Sequence, residues 1–248
     1  MGTTRPARLV RAALATAVAA VGSFGLITAC SSSDGKPPTP TTSSITVVRS
    51  ALSDAAARGD LATVQSLLKA GGVTVDERDD QGRTALVAAS YGGHIDVAKA
   101  LIAAGADVNA KDRTSQSSYL IATSEIGEAK GLELLRLTLA NGADVKSLDS
   151  YNGTGLIRAA DRGFVDIVNE LLTTDIDKDH VNRLGWTALL EAIILGGGDA
   201  KHTDVVRRLV AAGVDVNLAD GQGVTPLTHA TNRGYTAMID LLRSAGAR

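Results

Sequence analysis

Between Gly82 and Asn109 the apolar positions fall into two short helical patterns. Leu86, Ala89 and Ser90 occupy i, i+3 and i+4, which is one face of a first helix. Val97, Ala98, Leu101 and Ile102 form the stripe of a second. Thr84 stands where a hydroxyl can cap the first helix. Gly93 breaks the chain between the two, and Gly105 ends the second helix in a conformation that glycine adopts readily.

The pattern recurs. A closing residue stands at Gly71, Gly105, Gly142, Asp175, Gly213 and Gly246, at spacings of 34, 37, 33, 38 and 33. The openings Gly185-Trp186-Thr187-Ala188-Leu189 and Gly223-Val224-Thr225-Pro226-Leu227, and the close Gly213-Val214-Asp215-Val216-Asn217, repeat that of the second unit. Self-similarity at a period near 33 residues predicts a solenoid of stacked helix–turn–helix units. These residues resemble the ankyrin repeat over residues 46–248. The resemblance implies an all-α ankyrin-repeat solenoid of about six units, with partners bound on a concave face made by the turn tips and first helices.

Departures from the repeat carry expectations of their own. The usual Thr-Pro-Leu-His opening survives fully nowhere: Pro appears only as Pro226, and His gives way to Val87, Ile157, Leu190 and Thr228. Capping then falls to Thr84, Thr154, Thr187 and Thr225. Asn152 replaces the opening glycine and tolerates left-handed geometry. The third unit, through Ser118-Tyr119-Leu120, matches least well. Extra residues near Glu128–Gly131 and at Gly197-Gly198-Asp199-Ala200-Lys201 predict longer loops between the paired helices. At one inner position of the second helices Leu68, Ile102, Leu139, Leu172 and Val210 give way to Arg243, as suits a terminal unit with no neighbour beyond it.

Ahead of the repeats, Arg5, Arg8 and Arg11 precede an uncharged run from Ala12 to Ala29 that ends Leu26-Ile27-Thr28-Ala29-Cys30. This resembles a bacterial lipoprotein signal: residues 1–29 removed, a lipid on the sulfur of Cys30, and a Ser/Thr/Pro tether over 30–45. Two alternatives stay open, an uncleaved membrane helix and an export signal without lipid. All three place the repeats on the extracytoplasmic face of the cell membrane. Fifteen tether residues reach roughly 20 Å as flexible coil.

Composition narrows the function. Aromatics make up 3% of the chain, too few for a base-stacking platform. Net charge is −2, and −5 without residues 1–29, so nucleic acid is not an expected partner. A lone Cys excludes an intrachain disulfide or a cysteine-based zinc site. His94 and His202 share a repeat position and read as structural; His180 and His229 stand apart, and no metal-ligand spacing, nucleophile elbow or phosphate loop occurs. No enzyme activity and no cofactor are expected.

What remains is protein binding by a monomeric scaffold, or alternatively an accessory or inhibitory protein dedicated to one cell-envelope enzyme. The position before the capping residue holds Arg83, Ser117, Gly153, Trp186 and Val224; late first-helix positions include Tyr91, Glu125-Ile126, Arg162, Ile194, Leu195 and Arg233; Tyr151 and Leu184 lie at the tips. Tyr91, Tyr151, Arg162, Leu184, Trp186, Ile194, Leu195 and Arg233 are the candidate binding residues. The apolar ones of unit five, around Trp186, are the expected centre.

Overall fold

The computed structural model describes residues 51–248. The signal segment, Cys30 and the tether lie outside the described residues. Helical residues 51–57 (α1) pair with α2 (Leu61–Ala70), and five further pairs follow. They are α3 (Ala85–Tyr91) with α4 (Ile95–Ala103), α5 (Ser118–Ala122) with α6 (Glu128–Ala140), and α7 (Gly155–Arg162) with α8 (Val165–Leu172). The last are α9 (Ala188–Leu195) with α10 (Ala200–Ala211), and α11 (Pro226–Arg233) with α12 (Thr236–Ser244). From α3 on, first helices pack on first helices, second helices pack on second helices, and each pair packs internally. The all-α solenoid of six units is therefore the architecture of the described residues. None of their helices is long and apolar enough to cross a membrane.

The tips between units share one construction. The residue opening each tip is Asp79, Asp112, Asp149, Asn182 or Asp220. Its Oδ1 accepts the N–H groups two and four residues on, at 2.8–3.0 Å. Its own N–H donates to the carbonyl four residues on, at 3.0 Å in all five. This is an Asx-anchored turn whose fourth residue must be left-handed. Gly82, Gly185 and Gly223 fill that place easily; Asn152 (φ 60°) and Ser115 (φ 64°) fill it against their preference. Asn152 behaves as its sequence position predicts.

The predicted caps are in place: Thr84, Thr154, Thr187 and Thr225 each accept the N–H three residues on at 3.3 Å. In unit three the cap is Ser117, which accepts from Leu120. The sequence register was one residue out there. Ser117 is the equivalent of Thr84, Gln116 precedes it, and the late first-helix pair is Ser124-Glu125 rather than Glu125-Ile126. With neither Gly nor Thr in the opening, nothing in that unit marked the frame. Counted back from the Asx residue, Gly72 (φ 81°) rather than Gly71 closes unit one.

A second set of bonds joins neighbouring units. Asp76, Asn109, Asp179 and Asn217 each accept a backbone N–H from the next unit: Asp107, Asp144, Asp215 and Arg248. Unit three has Lys146 at this place, which cannot accept. It reaches the Asp175 carboxylate instead, at 3.0 Å across exposed surface.

The core is one apolar layer between the two sets of helices. Leu86, Tyr119, Leu156 and Leu189 occupy one repeat position of the first helices and are fully buried. Tyr119 is the odd member. Its hydroxyl donates to the Val145 carbonyl (3.2 Å), and it fits because the facing residue is Gly155: a methyl there would lie 2.4 Å from the hydroxyl. The extra residues of units three and five mostly lengthen the second helices, to 13 residues in α6 and 12 in α10, rather than forming longer loops. Asp199 caps the extended α10.

Candidate functional site

The first helices and tips form one continuous face. Of the predicted residues, Tyr151 (52% exposed) and Leu184 (40%) stand at adjacent tips, with Val181 (41%) between them. The Arg183 N–H donates to the Tyr151 carbonyl at 2.9 Å, and the Arg183 guanidinium to the Ser150 carbonyl. Asn152 Nδ2 reaches the Val181 carbonyl (3.4 Å), a further bond between the two tips. Val181 was missed because it precedes the Asx residue, where other units carry Lys111, Leu148 or Ala219 and no pattern singles it out. Trp186, Ile194 and Leu195 are half-buried rather than fully exposed. Tyr91 stands apart on unit two, its hydroxyl donating to Asp112 (2.9 Å); burial is the main reason that its pKa rises to about 12. Arg162 and Arg233 are exposed at the ends of α7 and α11, which flank α9. Arg162 lies 3.8 Å from Asp161, and Arg233 donates to His229 Nδ1 at 3.0 Å.

Along the same face runs a line of ionisable residues that sequence reasoning missed. Arg158, Glu191 and His229 hold one repeat position, nine residues after the Asx residue of their units. Arg158 is held by Asp149 (2.7 Å) and Glu125 (3.0 Å) and donates to Ser124. His229 Nε2 donates to Asp220 at 2.7 Å. Burial alone would raise the pKa of Asp220, but the N–H groups of Val224 and Gln222 and the His229 contact more than offset it and hold the carboxyl low. Glu191 differs: it is 5% exposed, and its Oε1 accepts from Asn182 Nδ2 at 2.8 Å. Burial, aided by the nearby negative charge of Asp161, pushes its pKa up to about 8. The signal was available as three ionisable residues in register on the first helices of units four to six. It was overlooked because they stand 33 and 38 residues apart.

The histidines divide as expected. His94 Nε2 donates to the Ala57 carbonyl (3.1 Å) and His202 Nε2 to the Asp161 carbonyl (3.0 Å), each tying a second helix to the end of the preceding unit's first helix. Among the described residues no group of three or more His, Cys, Asp or Glu is placed to hold a metal ion. Chemically, the face offers an apolar tip, a half-buried apolar wall and a row of charged groups.

Comparison with known proteins fits this geometry. A family model of ankyrin repeats in three copies matches residues 24–112 and 120–220, and a second, of many copies, matches 199–243. The chain is 39% identical over 194 residues to the putative ankyrin repeat protein YahD of Escherichia coli K12, covering 78% of this chain and 94% of that one. It superposes on an ankyrin repeat domain from Acinetobacter baumannii AYE with a TM-score of 0.74 at 47% identity, covering 79% of this chain and 98% of that one. For the ankyrin repeat protein EF0377 the TM-score is 0.72 at 35% identity, with 78% and 96% covered. The repeat, its capping and its tips thus have one explanation: this chain belongs to the ankyrin-repeat family.

Proposed function

We propose that this protein is a protein-binding scaffold, held by a lipid on Cys30 at the extracytoplasmic face of the cell membrane, that captures a protein partner on the first-helix and tip face of units four to six. Tyr151, Val181 and Leu184 carry this reading. They are three of the four exposed large apolar side chains among the described residues, and they stand on two tips joined by backbone bonds. Clustered apolar surface at solvent-facing tips is the usual mark of a contact site. Trp186 beside them supplies an aromatic anchor of the type that dominates interface energetics.

The test is crosslinking capture from the cell envelope with the full chain and with a Tyr151→Ala/Leu184→Ala variant. Both changes are at exposed tips, so the fold is expected to hold by circular dichroism while partner capture falls about tenfold or more. Undiminished capture would move the site elsewhere. One partner at fixed stoichiometry would favour the dedicated accessory or inhibitory role over a general scaffold. For the anchor, Cys30→Ser should abolish incorporation of labelled palmitate and release the protein from the membrane fraction; retention there would overturn the lipid.

A further inference from the structure

The row Arg158, Glu191, His229 is unequal in one respect. Arg158 meets two carboxylates and His229 donates to one, so each faces an acid of its own. Glu191 meets only the amide of Asn182, at the place where the other tips carry Asp. Its second oxygen has no hydrogen-bond partner among the described residues and is not fully enclosed. A buried acid without a cation lowers stability at neutral pH, and a row in which only this member lacks its counter-charge leaves room for an external one.

The surroundings specify what kind. Asn182 stands between the carboxyl and the backbone of Trp186: its Oδ1 accepts the Trp186 backbone N–H (3.0 Å) while its Nδ2 holds Glu191. Ile194 and Leu195 lie three and four residues beyond Glu191, on the same side of α9. Asp161, on the neighbouring α7, adds negative charge near the carboxyl. An acidic end beside an apolar and aromatic wall matches a long side chain with a methylene stem and a cationic head.

We infer that Glu191 is the anchor for a lysine or arginine side chain of the protein partner, with its aliphatic stem against Trp186, Ile194 and Leu195 and its charge shared with Asp161. The inference rests on the proposed binding face. A cation bound there favours ionised Glu191, so complex formation expels a proton and tightens as pH rises. The charged groups on the helices packed against α9 are Arg158, Asp161, Arg162, Lys201, Asp204, Arg207, Arg208 and Arg233. Of the histidines there, His202 is held by Asp199 and the Asp161 carbonyl, and His229 by Asp220. A His229→Asn variant serves as the control.

The experiment is selection of a random 12-residue display library on the full chain, followed by titration of the selected peptides as synthetic probes. Expected are sequences sharing Lys or Arg at one position. Binding should weaken about tenfold on Glu191→Gln and on replacement of that basic residue by norleucine. It should tighten between pH 6 and 8.5 in the wild type and in His229→Asn, but not in Glu191→Gln. Glu191→Gln keeps the bond to Asn182 and should melt no lower than the wild type, so a loss of binding is not a loss of fold. Peptides without a fixed base, equal binding to Glu191→Gln, or displacement by agmatine alone with no dependence on the rest of the peptide would each overturn the anchor. If such peptides still lose affinity on Trp186→Ala and Leu184→Ala, the binding face survives without it; if they do not, the face falls as well.

Discussion

Glu191 makes the stability of this protein depend on pH in a definite direction. Its pKa is raised to about 8 from an ordinary value of 4.5, so the folded chain holds this proton more tightly than the unfolded one. The stabilisation is complete below pH 4.5 and is lost as pH rises through 8. Glu191→Gln removes the titration. Denaturant unfolding at pH 5, 7 and 8.5 should show the variant gaining on the wild type at each step; parallel curves would mean that the carboxyl titrates normally. Ser115 offers a second local test. At φ 64° it occupies left-handed backbone that other tips give to glycine. Ser115→Gly should therefore raise stability by about 0.5–1 kcal/mol, read as a higher melting temperature. Lys146→Asn should restore the missing backbone bond between units three and four. Against the loss of one exposed ion pair, which contributes little, the gain should be about 0.5–1.5 kcal/mol.

Among the elements, α5 and α7 fit through one exchange of volume: a tyrosine where other units have leucine, opposite a glycine where they have Ala85 or Ala188. Gly155→Ala should cost about 1–3 kcal/mol, because the methyl meets the Tyr119 hydroxyl and the Thr123 side chain. Tyr119→Leu in the same chain should recover most of that. A double-mutant cycle measures the coupling, and additive losses would show that the two do not share this space. This compensation also shows where the sequence was readable and where it was not. The helix pairs, the caps at Thr84, Thr154, Thr187 and Thr225, and the left-handed Asn152 follow from local patterns of a few residues, and they were legible. Unit three lost its register because Ser115 and Ser117 stand in for the glycine and threonine that mark the frame elsewhere. The Tyr119–Gly155 fit and the row of Arg158, Glu191 and His229 depend on residues more than thirty positions apart. Their meaning appears only once the stacking brings them together. Tyr151 and Leu184 were readable as tip residues, but the half-burial of Trp186 and Leu195 is set by neighbouring units.

For the molecule as a whole, the ends decide whether the stack stays single. Arg243 is exposed on α12 at the position where units two to five place Ile102, Leu139, Leu172 and Val210; with Gly72 as its close, unit one carries the exposed Lys69 there rather than Leu68. Arg243→Leu would extend that stripe across the exposed surface of α12. Sedimentation should then show concentration-dependent association absent from the wild type; a variant that stays monomeric would mean that Arg243 does not act as a cap.

The bonds from Asp76, Asn109, Asp179 and Asn217 to the next unit also have a mechanical meaning. Each joins residues about one period apart, so a pull on the two ends loads the joints in series, and each joint yields by itself. Four of the five joints between units carry a backbone bond of this kind, and the remaining one, at Lys146, carries an exposed ion pair. A solenoid loaded along its axis should lengthen in discrete steps of one or a few units, like a spring with separate coils. Under the proposed anchoring at Cys30 and partner capture on the face, such yielding would let the solenoid lengthen under strain before the grip is lost.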